Sequence, residues 1–157
     1  MSNQTPTPLD ARTRERFKRQ PQRDTKPELV IRRELHRRGF RFRLDVRVSK
    51  SIRSKPDIVF NGAKVAVFVD GCFWHGCPDH GTFPKNNREW WAQKLEANVK
   101  RDERTTAALE HEGWKIIRLW EHEPVNHAAD RVAADRVAVD RVGAKNRNLN
   151  ILEPQVF

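Results

Sequence analysis

Two hydrophobic periods alternate along the chain. In "FRFRLDVRV", residues 40–48, apolar and mainly basic side chains take turns, the period-two pattern of a strand with one wet face. Two denser apolar runs follow, "PDIVF" at 56–60 and "KVAVFVDG" at 64–71. Asn61-Gly62 lies between them, a strong hairpin signal. "WKIIRLWE", residues 114–121, is apolar on both faces and reads as a central strand. Helical spacing marks two other stretches. "TKPELVIRRELHRRG" has Thr25 as N-cap, Pro27 in the first turn, Glu28 three residues after the cap and Gly39 as the stop. Its buried stripe is expected from Leu29, Val30, Ile31 and Leu35. In residues 86–113, Trp91, Leu95, Val99 and Leu109 recur at helical intervals, and Gly113 ends the run. The predicted order is α-β-β-β-α-β-α, an α/β fold with a mixed sheet flanked by helices.

The ends differ from the middle. Residues 1–23 form a basic arm, expected to be partly disordered, carrying Arg12, Arg14, Arg16, Lys18, Arg19 and Arg23. Residues 24–142 are expected to form one domain and 143–157 a tail. Near the end "AADRV", "AADRV" and "AVDRV" repeat with a period of five. That period matches neither 3.5 nor 3.6, so the valines precess around a helix instead of forming a heptad seam. We read it as a helix covering the sheet.

Composition sharpens the functional class. With 31 Lys and Arg against 21 Asp and Glu, the formal charge is +10, which favours a polyanionic partner through counterion release. No apolar run approaches the ~20 residues of a membrane span, and the N-terminus lacks the apolar segment of a secretory signal. A cytoplasmic setting follows as the expectation, and a disulfide is disfavoured there.

The chemistry gathers in "VFVDGCFWHGCPDHG", residues 67–81. Cys72 and Cys77, the only two cysteines, stand four residues apart in C-x4-C, with His80 close behind; with His122 beyond the last strand they supply the ligand types of a tetrahedral zinc site. Two buried free cysteines and two surface histidines are the plainer alternative. Asp57, in "KPD" at a strand start, suits Mg²⁺ held against a phosphate, or simply a turn. His75 is a candidate ligand, core residue or general base. Asp102 is a carboxylate able to orient it, or a helix-surface ion-pair partner of Arg101 or Arg104. Phe73 and Trp74 on a loop, and Trp90 and Trp91 opening a helix, can stack on or wedge between bases, or pack inward. Trp114 and Trp120 are assigned to the core.

Taken together, Glu28 on a first helix, "KPD", "VDGCFWHGCPDHG", "NVKRD" and "GWKIIRLWEHE" resemble the very short patch repair (Vsr) DNA mismatch endonucleases, over about residues 11–123. The resemblance implies a restriction-endonuclease-like fold with a structural zinc. It also implies nicking of duplex DNA on the 5′ side of the T in a T·G mismatch left by 5-methylcytosine deamination. Carried over residue by residue, it makes Asp57 the Mg²⁺ ligand together with the Val69 backbone carbonyl. His75 becomes the general base, Asp102 its supporting acid and Glu28 a carboxylate near the metal waters. Phe73, Trp74 and Trp91 become the aromatic wedge. Cys72 matches a zinc ligand directly; Cys77, His80 and His122 fill the other positions, where a relative has other residues. Asp70 stands where that relative has histidine. The implied partner is double-stranded DNA bearing the mismatch, acted on by a monomer, with mismatch-repair proteins as further partners and the nucleoid as the place of work. A sequence-specific restriction nuclease of the same fold and a non-catalytic zinc-stabilised DNA-binding domain are the alternatives.

Overall fold

The computed structural model describes residues 15, 19, 23–82 and 84–136. Helix α1 (Lys26–Arg37) leads into a long connection, then strands β1 (Ile58–Phe60) and β2 (Val65–Asp70), helix α2 (Arg88–His111) and strand β3 (Lys115–Trp120). Helix α3 occupies residues 125–136. The sheet order is β1-β2-β3, with β1 antiparallel and β3 parallel to β2. A parallel neighbour requires a crossover, which α2 supplies.

Helix α1 presents a different stripe from the one its apolar residues suggest. Leu29 and Val30 are each 37% exposed, whereas Ile31 and Leu35 are buried beside Glu28 and Arg32. Positions 28, 31, 32 and 35 follow i, i+3, i+4, i+7, so one stripe carries two aliphatic side chains and an internal ion pair. The Glu28 carboxylate accepts from the Thr25 hydroxyl at 2.8 Å and the Asp24 N–H at 3.0 Å, a variant of the expected capping box. At the other end Gly39 adopts φ +86°, and Gly39 and Phe40 donate to the carbonyls of His36 and Leu35 in a Schellman closure.

Residues 40–48 do not form the expected strand. Only Arg43 bridges, to Val59, through two backbone hydrogen bonds of 2.8 and 2.9 Å. Phe40 and Phe42 instead pack edge-on against Phe60, so their apolar period serves the core without a continuous ladder. The hairpin between β1 and β2 is present, but its turn spans 61–64. Lys64 donates to the Asn61 carbonyl and carries the positive φ of 50°, so Asn-Gly does not act as a two-residue turn. The central strand is β2, not β3: β2 pairs on both sides and is buried along nearly its whole length. Strand β3 pairs with β2 alone among the described residues.

The core lies on one sheet face, where Ile58, Phe60, Val65, Val67, Ile117 and Leu119 meet Ile31 and Leu35 of α1 and Ala128, Ala129 and Val132 of α3. The first "AADRV" thus supplies a buried, small-residue helix face. The second repeat continues α3 through Arg136, and the rest of the repeats, residues 137–142, lies outside the described residues. Trp114 and Trp120 are half-buried, not core. Helix α2 buries Leu95, Asn98 and Leu109. Of the basic arm Glu15, Arg19 and Arg23 are described: Glu15 and Arg19 are helical, exposed and paired at 3.5 Å, and the exposed Arg23 pairs with Asp45. Arg12, Arg14, Arg16 and Lys18 lie outside the described residues.

Candidate active site and metal centre

Strand β2 ends at Asp70, and the candidate residues gather around that end. Asp57 precedes β1; its N–H donates to the Val67 carbonyl, and its Oδ2 accepts the Val69 N–H at 2.7 Å. In a strand, the N–H and C=O of one residue point to the same side. The Val69 carbonyl therefore faces the Asp57 side, past the start of β1. Burial, helped by the negative charges of Glu28 and Asp70, pushes the Asp57 carboxyl up to about 6, against the Val69 hydrogen bond and Arg32. A carboxylate and a carbonyl on one edge, short of positive charge, are hard oxygen donors that fit Mg²⁺.

Glu28 approaches from α1, 4% exposed. Its carboxylate is fully engaged: besides Thr25 and Asp24 it accepts from Arg32 at 2.9 Å, and Arg32 also reaches Asp24 at 2.5 Å. The charge of Glu28 thus acts on Asp57 through space, its geometry held by Arg32.

On the α2 side of the sheet, His75 Nδ1 lies 2.5 Å from Asp102 Oδ2 and 3.5 Å from Asp70 Oδ1. Both neighbours are acceptors, so a hydrogen on Nδ1 satisfies them, and that tautomer leaves the Nε2 lone pair available. Asp102 Oδ1 lies 3.9 Å from Arg101; the close partner is His75, so the helix-surface ion pair is the lesser contact.

Two further participants lie inside the quoted segments "GWKIIRLWEHE" and "NVKRD", where neither is assigned a role. Arg118, in the middle of β3, donates from Nε and a terminal nitrogen to both oxygens of Asp70, at 2.7 and 3.0 Å. The same terminal nitrogen is 3.3 Å from Asp102 Oδ1, and the other bonds Thr106 at 3.2 Å. Its one available signal was a lone arginine inside "KIIRLW". Asn98, buried on α2, donates to the Trp74 carbonyl at 3.1 Å and ties the aromatic loop to the helix. It lies one turn before Asp102, on the same face.

Cys72, Cys77, His80 and His122 form one group, their ligand atoms all within 4.8 Å of one another. Cys72 Sγ is 3.0 Å from His122 Nδ1, and Cys77 Sγ is 3.7 and 3.8 Å from His122 and His80. Zinc with bonds of about 2.0–2.3 Å needs tetrahedral edges of roughly 3.3–3.8 Å, so two sulfurs and two imidazoles here suit a closed structural site. Burial, together with Cys77 and Glu121, pushes the Cys72 thiol up to about 12. Two adjacent thiolates need a cation, and a divalent metal would provide it. Glu121 also accepts the Cys72 N–H at 2.7 Å, pinning the loop to the end of β3.

Phe73, Trp74 and Trp91 form a half-buried aromatic cluster, with ring centroids 4.9–6.0 Å apart; Trp90 joins it at 4.9 Å from Trp91. Phe73 and Trp74 sit on the loop that carries His75, and Trp90 and Trp91 lie in the first turn of α2. No helix among the described residues is long and apolar enough to cross a membrane.

The profile of the DNA mismatch endonuclease Vsr family matches residues 9–79. The chain is 43% identical over 129 residues to the Type II nicking enzyme V.NaeI of Lentzea aerocolonigenes, covering 81% of this chain and 78% of that relative. It is 43% identical over 102 residues to the Type II nicking enzyme V.XorIIP of Xanthomonas oryzae, covering 64% and 73%. It is 32% identical over 103 residues to the DNA mismatch endonuclease Vsr of Escherichia coli, covering 63% and 62%. With a basic chain, a carboxylate edge and a histidine–carboxylate pair at one strand end, this protein belongs to the Vsr family of DNA endonucleases.

Proposed function

We propose that the chain nicks duplex DNA 5′ of the T in a T·G mismatch by Mg²⁺-dependent phosphodiester hydrolysis and so initiates very short patch repair. The carrying observation is that Asp57, next to the Val69 carbonyl, shares one end of β2 with the His75–Asp102 pair. When bound, Mg²⁺ supplies Lewis-acid polarisation of the phosphate and charge for the leaving oxygen. Asp57 and the Val69 carbonyl would hold it, and the Glu28 charge would add to the negative field at that edge. His75 Nε2 takes the proton of the attacking water, and Asp102 keeps the ring in the competent tautomer. Phe73, Trp74 and Trp91 enter the stack beside the mismatch, where opening a base step costs least. The basic arm adds phosphate contacts. Cys72, Cys77, His80 and His122 would hold a structural Zn²⁺, which would fix the shape of the loop that presents His75, Phe73 and Trp74.

The test is nicking of a T·G duplex beside its fully paired counterpart, with Mg²⁺. Mismatch-restricted nicking that disappears in Asp57→Ala and His75→Ala supports the reading. Equal cleavage of the paired duplex would instead favour a sequence-specific nuclease, and full activity in either variant removes the catalytic assignment.

A further inference from the structure

Among the described residues, Arg118 is the one cation that touches both carboxylates facing His75. Strand β3 runs parallel to β2 with Phe68 opposite Arg118 and Asp70 opposite Trp120. Arg118 and Asp70 are therefore diagonal neighbours on one sheet face, the face covered by α2. The guanidinium lies 4.9 Å over the Phe68 ring, which fixes its plane. From there its donors are divided: two to Asp70, one of these also toward Asp102, and the third to Thr106 of α2.

This division separates the acidic residues into two sets. Asp57 keeps an edge next to a carbonyl. Asp70 has both oxygens committed to Arg118, and its remaining approach is to His75 Nδ1 at 3.5 Å. Asp102 is gripped from two sides, by His75 at 2.5 Å and by Arg118 at 3.3 Å. A planar fork that bonds two carboxylates leaves neither free to rotate.

We propose that Arg118 is a positioning residue for the nicking reaction: by clamping Asp70 and Asp102 it sets the Nδ1 side of His75 and aims Nε2 at the attacking water. Asp70 is then part of the clamp and not a metal ligand. The inference rests on the reading of His75 as general base. Without the guanidinium, the two carboxylates repel each other and compete for a single N–H. The ring is then offered more than one orientation, and misplacement by about 1 Å can cost on the order of a hundredfold in rate.

The experiment compares the wild type with Arg118→Met, which keeps the stem, and Arg118→Lys, which keeps the charge but not the fork. Single-turnover nicking at saturating T·G duplex is measured with Mg²⁺, DNA affinity is measured without it, and the His75 ring is followed by nitrogen NMR. Arg118→Met is expected to nick about a hundredfold more slowly with DNA affinity changed less than about threefold. Arg118→Lys should fall between, and millimolar guanidinium should restore about tenfold in Arg118→Met. The His75 ring should show one Nδ1–H form in the wild type and more than one environment in Arg118→Met. Wild-type rates in both variants, or a loss in affinity with the rate at saturation unchanged, would overturn the proposal. If Arg118→Met does not fold, a wild-type rate in Arg118→Lys overturns it and a slow rate with one-for-one zinc and normal affinity supports it. A wild type that does not nick at all is the separate failure of the underlying functional reading.

Discussion

The Asp57 carboxylate accepts the backbone N–H of Val69 at 2.7 Å, tying the residue before β1 to the penultimate residue of β2. One oxygen is thereby fixed in direction before any cation arrives. The same bond brings the carbonyl edge of Val69 alongside, so one strand end gathers oxygen donors from two segments 12 positions apart.

That arrangement has a pH signature. Asp57 is raised to about 6 when folded, against 3.8 for the free group. A raised acid destabilises the folded chain as pH climbs from about 4 to 6, and the cost is then fully present at higher pH. Without added Mg²⁺, Asp57→Asn should therefore be more stable than wild type at pH 8, by about 3 kcal/mol at most, and not at pH 4. Urea unfolding at the two values checks this. In the wild type, Mg²⁺ competes with the proton, so the concentration needed for half-maximal nicking should fall as pH rises through about 6 and then level off.

The proposed zinc role of the Cys72, Cys77, His80 and His122 group predicts coupling between metal and fold. Freshly purified protein should contain one Zn²⁺ per chain by elemental analysis. Cys77→Ser should lose the ion and lower the melting temperature, since structural zinc contributes folding free energy directly. Nicking should fall with it, because His75 stands between the cysteines. His122→Cys should retain zinc, as Cys₃His is an equally suitable donor set. Metal-free, fully folded Cys77→Ser with normal nicking would reject the site's structural role.

Phe73, Trp74 and Trp91 pack against one another, so each truncation should be felt by DNA more than by the fold. Trp74→Ala is expected to weaken binding to a T·G duplex by roughly ten- to a hundredfold, the scale of one lost base–aromatic stack. Fluorescence anisotropy on mismatched and paired duplexes measures it. An unchanged mismatch preference across all three alanine variants would remove the wedge.

Asn98 holds the Trp74 carbonyl from a buried position on α2. Asn98→Leu leaves that carbonyl without its partner and should cost about 1–3 kcal/mol. It should also slow nicking, because the loop from Phe73 to His75 loses its tie to the helix that carries Asp102. Thermal melts and single-turnover rates test the two effects separately.

Much of the site was legible as chemistry and little of it as geometry. The two cysteines and the histidines around them stand close enough in sequence for their ligand character to be read directly, and His122 was reached by its place after the last strand. Asp57, His75 and Asp102 were found as candidate types and grouped by family resemblance. Arg118 escaped because one arginine in an apolar strand has no local pattern; its meaning lies in Asp70, 48 positions away. Asn98 stands in the quoted "NVKRD", but its role lies in the Trp74 carbonyl, 24 positions away. The strand expected over residues 40–48 failed because period two reports only which side chains face inward, and aromatic packing on Phe60 satisfies that without a ladder.

By itself the sequence determined where α1, α2 and the two long strands lie, because amphipathic period, capping residues and glycine stops act within a few positions. It also determined the basic charge and the donor types of both candidate metal sites. Tertiary structure decided which strand is central, which face of α1 is buried, and that Glu28 and Arg32 go inside. It decided too that Asp70 is held by an arginine while Asp57 keeps an oxygen edge. These are outcomes of burial and pairing between distant segments, where one carboxylate is neutralised only by a cation that another strand's register brings to it.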